Sequence, residues 1–454
     1  MPKKFSILRG GANRGLSLSF AGARAGGIFA LDSAMKKLGA RDTHADARLD
    51  QEARRFARRL GELKGSYVKI GQLLALLGEH YLPRPLTRAL HDLESQTTPL
   101  PWSAMRPLFE VGLGEGYRDL KIDREPLAAA SLAQVHRARV IETGQSVVVK
   151  GQYPELSAVL DDDFKAVVRM LRLARWIPAS HDFDRWLATV HEQLLSEVDY
   201  PRERAMAINF AGAIRGSETL DNTPINLRVP RFWDAYCGEQ VVTMDYINGH
   251  RAGSEAVAAL PQSVRDELGK QMLRLFFTEI YDFGLMQTDP NFGNYLINEE
   301  GSELTLLDFG SVVELEGPVR TAICDTIVAG LRHDDAELET ALERLGCLSE
   351  DAGEHARRTF TGFIKSLLEP LAAPDALPAQ YLNDRGEDCW GQSDLIRRAG
   401  RLVADAVTHR EFSMPAGEFA MLARKLTGVF TFIAVLRSEF NGHHIAQSFL
   451  SAKR

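Results

Sequence analysis

Cysteine is scarce. Cys237, Cys324, Cys347 and Cys389 are the only four in 454 residues. They lack the paired spacing of a zinc ligand set and give no disulfide framework. Long apolar runs are missing too: the longest near the end of the chain, Gly428 to Leu436, is well short of the roughly 20 residues that span a bilayer. Excess positive charge is absent, and a net charge of −7 argues against nucleic acid as a main partner. No internal repeat stands out. The remainder, 45% hydrophobic and 25% charged, is ordinary globular composition, and the length allows two or three domains with a substantial core.

What is present points to phosphate and metal chemistry. Asp308-Phe309-Gly310 follows Leu304-Thr-Leu-Leu307, a mainly apolar run with the pattern of a buried strand that would carry Asp308 at its end. Upstream lies Gln287-Thr-Asp-Pro-Asn-Phe-Gly-Asn294. A kinase-type centre needs a carboxylate beside the nucleophile, an amide oxygen a few residues on and a further carboxylate for Mg2+; Asp289, Asn294 and Asp308 supply these in order. An isolated Asp-Phe-Gly would more often be a strand ending in a turn, so the combination carries the argument.

Such a centre requires a strand lysine for the α and β phosphates, and Gln145-Ser-Val-Val-Val-Lys150 ends a β-branched run in one. Alone, Lys150 would read as the solvent-facing end of an edge strand. Its surroundings predict strand, loop, strand, turn, strand: Tyr117 to Ile122, a loop within Pro126 to His136, Arg137 to Ile141, Glu142-Thr-Gly144, then the lysine strand. Where a protein kinase has glycines, this loop carries Ala128, Ala129 and Ala130. Their Cβ atoms restrict the close backbone approach that glycine permits, while Ser131 and free N–H groups can still bind an anion.

These residues resemble the UbiB-like atypical kinases, also called the AarF family, over roughly Arg9 to Gly317. The resemblance rests on Lys69-Ile-Gly-Gln72, Ala128-Ala-Ala-Ser-Leu-Ala-Gln-Val-His136, Val149-Lys-Gly-Gln-Tyr-Pro154, Glu197-Val-Asp-Tyr200 followed by Glu203, Asp289 to Asn294, and Asp308-Phe-Gly310. It implies an α+β, two-lobed protein-kinase-like fold with an N-terminal helical extension over the active site and a helical C-terminal lobe. By the same similarity Lys150 and Glu203 form an ion pair, Asp289 takes the catalytic-loop position, and Asn294 with Asp308 holds Mg2+. Lys69 pairs with Glu197 of the Glu-x-Asp199 motif and, with Gln72, covers ATP or ADP. Gln287 and Asn291-Phe292 depart from the family's His and His-Pro. No Ala-Pro-Glu motif follows Asp308, so peptide phosphorylation is disfavoured.

The rest of the chain yields further expectations. Phe56, Leu60, Leu63, Tyr67, Ile70, Leu74 and Leu77 form one helix stripe, with Ser66, Lys69 and Gln72 as a polar line beside it. Glu197, Asp199 and Glu203 fall on a helical segment from Arg185 and its continuation, and inserted helices within Glu155 to Arg175 would pack on the small lobe. Asn226 to Phe232 and Gln240 to Asp245 read as its last strands, followed by an adenine-binding hinge, Tyr246 to Gly249, with Met244 and Tyr246 as the nucleotide-binding candidates there. Val264 to Phe283 reads as a helix feeding the catalytic loop. The domains expected are 1–46, basic; 47–112, helical extension; 113–248, small lobe; and 249–454, a mainly helical large lobe. Lys3, Lys4, Arg9, Arg14 and Arg24, with no acid before residue 32, suggest a small-residue helix touching anionic lipid rather than a disordered tail, a signal or transit peptide being a further reading that Arg24 interrupts. A cytoplasmic enzyme peripheral to an inner membrane is the expectation. Its function would be that of an ATPase or small-molecule or lipid kinase supporting ubiquinone or another prenyl lipid, with a quinone precursor as partner; a nucleotide-gated scaffold is the alternative.

Overall fold

The computed structural model describes residues 45–63, 65–77, 82–91, 93, 99–154, 156–174, 176–177, 181–289, 291–349, 351–395, 398 and 417–451. The basic segment expected to touch lipid lies outside the described residues. Counting helices of eight residues or more, the first part of the chain runs α1 (Ala45–Leu63), α2 (Ser66–Leu77), α3 (Arg84–His91), α4 (Trp102–Leu113), β1 (Leu120–Ala129), β2 (Ala133–Val140), β3 (Ser146–Gln152), α5 (Leu156–Leu173), α6 (His181–Ser196) and α7 (Tyr200–Arg215). Then follow β4 (Asn226–Arg228), β5 (Val241–Asp245), α8 (Gln262–Thr278), β6 (Leu285–Gln287), β7 (Tyr295–Ile297), β8 (Glu303–Leu306), β9 (Val312–Glu314), α9 (Gly317–Arg332), α10 (Asp335–Arg344), α11 (Glu354–Leu368), α12 (Gly417–Val435) and α13 (Gly442–Ser451). The chain divides into two units, one of residues up to Pro201 with Phe232–Asp245, the other of Arg202–Arg231 with everything from Tyr246.

Valine-rich β3 is the centre of the first unit. Its β-branched side chains suit a pleated, buried surface, and it lies between β2 and β5 in an antiparallel sheet of order β1-β2-β3-β5. Gly144, at φ 72, closes the β2–β3 turn in a conformation that favours glycine. Helix α4 lays Met105, Phe109 and Leu113 on Ala138, Val140, Val147, Val149 and Val241. A Cβ at Gly151 would sit 2.5 Å from Phe109 Cε1, so the residue after Lys150 has to be glycine for α4 to dock.

The expected first strand begins later than Tyr117, because Gly114–Asp119 forms a 3-10 helix. The expected loop is shorter: Ala128 and Ala129 are β1 residues opposite Val135 and Gln134, and only Ala130 to Leu132 turn. Pro126, lacking an N–H, sits at a register shift of this edge strand, which is how β1 runs through it.

The helices of the first unit also differ from expectation. The stripe from Phe56 is not one helix, since Gly65 at φ 59 separates α1 from α2, although Phe56, Leu60, Tyr67, Ile70 and Leu74 are all buried. Helices α5 and α6 make their principal contacts with α2 rather than with the sheet. Ser66 Oγ donates to Asp163, and Phe56 meets Trp176 edge-on at 5.1 Å.

In the second unit α8 is buried through Leu268, Met272, Leu273, Leu275, Phe276 and Phe277, with α12 and α13 packed on it. It continues as a π turn, Glu279–Phe283, and ends at Gly284 with φ 65, where the chain reverses into β6. The Asn226 strand does not join the small-lobe sheet: β4 runs parallel to β8 in a three-stranded sheet of order β4-β8-β7, while β6 pairs with β9. Among the described residues, no helix is long and apolar enough to cross a membrane.

Candidate functional site

Lys150 stands on β3 between Val135 of β2 and Val242 of β5, with its Nζ 4.9 Å from the Tyr200 ring centroid, a cation–π distance. Ser131 follows Ala130, whose N–H donates to the Ala133 carbonyl at 2.8 Å and holds the turn tight. Met244 is buried on β5 opposite Val148, and the division between units falls between Asp245 and Tyr246.

The expected pairing of Lys69 is present: its Nζ lies 2.5 Å from Glu197 Oε1, and the two side chains are only 22% and 21% exposed. Gln72 lies on α2 near Lys69, one helical turn away. Glu197 and Asp199 are not helical as expected; they occupy the turn after α6. Gln152 fastens this turn by donating to the Val198 carbonyl. Glu203 is buried in the first turn of α7, a helix that begins in the first unit and continues in the second.

The second unit gathers the remaining motif residues. Asn294 Nδ2 donates to Asp289 Oδ2 at 2.6 Å, which turns the amide oxygen of Asn294 the other way. Asp308 Oδ1 accepts the Gly310 N–H at 2.9 Å, and the Leu307 N–H donates to the Asn294 carbonyl at 2.9 Å. Gln287 ties both segments together. Its Nε2 donates to the Asp308 carbonyl at 3.1 Å and its Oε1 accepts the Tyr295 hydroxyl at 2.7 Å. Burial, with the nearby Glu279, Asp289 and Asp308 carboxyls, pushes the Tyr295 phenol well above its ordinary range and keeps it a neutral donor. Asn291 caps the Phe292–Asn294 turn by accepting the Gly293 N–H at 2.9 Å.

Helix α7 is locked to the segment after Asp308. Arg202 donates to the carbonyls of Gly310 and Val312 at 3.0 and 2.8 Å, and Phe210 packs on Phe309 with ring centroids 5.4 Å apart. Phe309 is fully buried, so this contact fixes the backbone that carries Asp308.

Three groups escaped the sequence reading. Arg424 Nη2 of α12 lies 3.2 Å from Asp289 Oδ1. Its neighbour Lys425 pairs with Glu279 at 2.8 Å, both almost fully buried, and Glu279 Oε2 also accepts the Gln287 N–H at 3.2 Å. Burial raises the Glu279 carboxyl while Lys425 opposes the shift. No motif marks either basic residue. In the first unit Gln134, fully buried, bonds both backbone groups of Leu100 and donates to His136 Nε2 at 2.9 Å. His136 Nδ1 donates to the Asp123 carbonyl at 2.8 Å, and burial pushes its pKa down, so the ring is a neutral structural link. The Gln-Val-His of the alanine-rich signature is therefore a brace.

The first unit carries a strand lysine, and the second an Asp–Asn pair joined to an Asp-Phe-Gly segment, the residue types that a kinase-like chain uses. Residues 92–342 match the ABC1 atypical kinase-like domain, more than half of the chain, and the protein belongs to that family. The mitochondrial atypical kinase COQ8 of Schizosaccharomyces pombe is 26% identical over 382 residues, 83% of this chain and 59% of its own length. The probable serine/threonine-protein kinase abkA of Dictyostelium discoideum is 25% identical over 409 residues, 88% of this chain and 71% of its own length. The mitochondrial COQ8 of Saccharomyces cerevisiae is 30% identical over 264 residues, 58% of this chain and 51% of its own length. The chain thus spans between about half and seven-tenths of these relatives. The structure titled as the complex of Rv3197 with erythromycin from Mycobacterium tuberculosis matches with a TM-score of 0.55 at 22% identity, over 90% of this chain and 98% of that one, a likeness of fold. With the family match it identifies an α+β, kinase-like fold.

Proposed function

We propose that the protein is an ATP-dependent enzyme, an ATPase or a small-molecule or lipid kinase, that supports ubiquinone or another prenyl lipid's metabolism. The observation that carries the reading is the Asp289–Asn294 bond at 2.6 Å, framed through Gln287 onto Asp308. Asp289 would face the acceptor oxygen, with Lys150 serving the phosphates and Glu203 orienting Lys150. The names of the COQ8 relatives support an atypical kinase.

The donor set fits Mg2+. Asp308 has a carboxylate oxygen not engaged by Gly310, and Asn294 turns its amide oxygen away from Asp289; both are hard oxygen ligands. Mg2+ usually relies on one or two carboxylates plus substrate phosphates, and its charge would offset that of the phosphates. Transfer to a peptide is disfavoured, because α9 starts at Gly317 and leaves only a short segment after Gly310 for docking.

The destination of the γ-phosphoryl tests the reading. Purified protein would be given γ-labelled ATP and Mg2+, with and without anionic liposomes and a phenolic quinone-precursor mimic. Label is expected in free phosphate or in the mimic, and more of it when liposomes are present. Label confined to ATP despite tight nucleotide binding would instead indicate a nucleotide-gated scaffold.

A further inference from the structure

The segment Gln287-Thr-Asp-Pro-Asn-Phe-Gly-Asn294 contains no cationic side chain. Phosphoryl transfer spreads charge over the equatorial oxygens, and fixed positive charge beside the centre is a principal means of stabilising it. The second unit brings a cation in from elsewhere: Arg424, 135 positions after Asp289, reaches Asp289 Oδ1 at 3.2 Å with its side chain only 13% exposed.

The approach is built into the fold. Lys425 anchors α12 through its buried pair with Glu279, and Glu279 in turn accepts the Gln287 N–H. Adjacent helix positions diverge by about 100°. One side chain therefore enters the core and fixes the helix, while the next is presented to the carboxylate. A carboxylate held at one oxygen can still swing about its Cβ–Cγ bond, whereas Asp289 is held at both, by Asn294 on Oδ2 and Arg424 on Oδ1. A guanidinium stays charged throughout the working pH range and keeps a planar fork that a lysine lacks.

We propose that Arg424 is a positioning residue of the phosphoryl-transfer centre, which orients the Asp289 carboxylate and supplies the positive charge its segment lacks. The inference rests on the ATP-dependent reading and adds to it an element from the C-terminal helices.

The test is steady-state Mg-ATP turnover of the full chain as wild type, Arg424→Ala, Arg424→Lys, Asp308→Asn and Arg358→Gln, the last altering an arginine that is 78% exposed on α11. Loss of orientation at a reacting centre can cost about 100-fold, and kcat of Arg424→Ala is expected to fall by that order. Its ATP KM should stay within about threefold, since the missing interaction belongs to the transition state. Added methylguanidinium should restore part of the rate, Arg424→Lys should fall between, and the circular-dichroism melt should be close to wild type. Wild-type kcat in Arg424→Ala would overturn the proposal, as would a loss that tracks unfolding and does not respond to methylguanidinium. A wild type no more active than Asp308→Asn would remove the ATP-dependent reading itself, and the inference with it.

Discussion

Asp388 is a carboxyl kept from water: it is 4% exposed, and its Oδ1 accepts no hydrogen bond. Burial, helped by the nearby Glu369, pushes it up to about 7 from an ordinary 3.8. The folded state then binds a proton that the unfolded chain has already released. This carboxyl's effect on stability is most favourable below pH 4 and is lost as pH rises towards 7, at about 1.4 kcal/mol per pKa unit. Asp388→Asn should therefore raise the melting temperature at pH 8 and change it little at pH 4. An equal shift at both values would contradict the assignment. At this scale Asp289, Asn294 and Asp308 were legible because their order and spacing are the signal. Arg424 was not, because its partner is brought to it only by folding.

Among the elements, α12 shows how the C-terminal region holds the site. Breaking a buried ion pair by removing one partner costs about 3–5 kcal/mol, because the other charge remains desolvated. Lys425→Met should lower the melting temperature sharply. In the double variant with Glu279→Gln, which keeps an acceptor for the Gln287 N–H, most of the loss should be recovered. A double variant as unstable as Lys425→Met would show that the charge pair is not the cause.

The sequence pattern located α8 and the lysine strand well, since a buried helix and a β-branched run carry their own periodicity. It overextended the alanine loop, because strand pairing through Ala128 and Ala129 depends on β2 rather than on local preference. It also joined α1 to α2, since the apolar stripe runs on across Gly65. Asn226–Arg228 was assigned to the wrong sheet for a similar reason: a three-residue strand has no pattern that names its partner β8.

For the whole molecule, the proposed roles fall to residues of both units, Lys150 in the first and Asp289, Asn294 and Asp308 in the second. Mg2+-dependent phosphate release from ATP, measured side by side for wild type, Lys150→Ala and Asp308→Asn, tests those roles most directly. The account predicts turnover in the wild type and a fall of about 100-fold or more in each variant, as expected when phosphate positioning or charge stabilisation is removed. Turnover at the wild-type rate in either variant would contradict it.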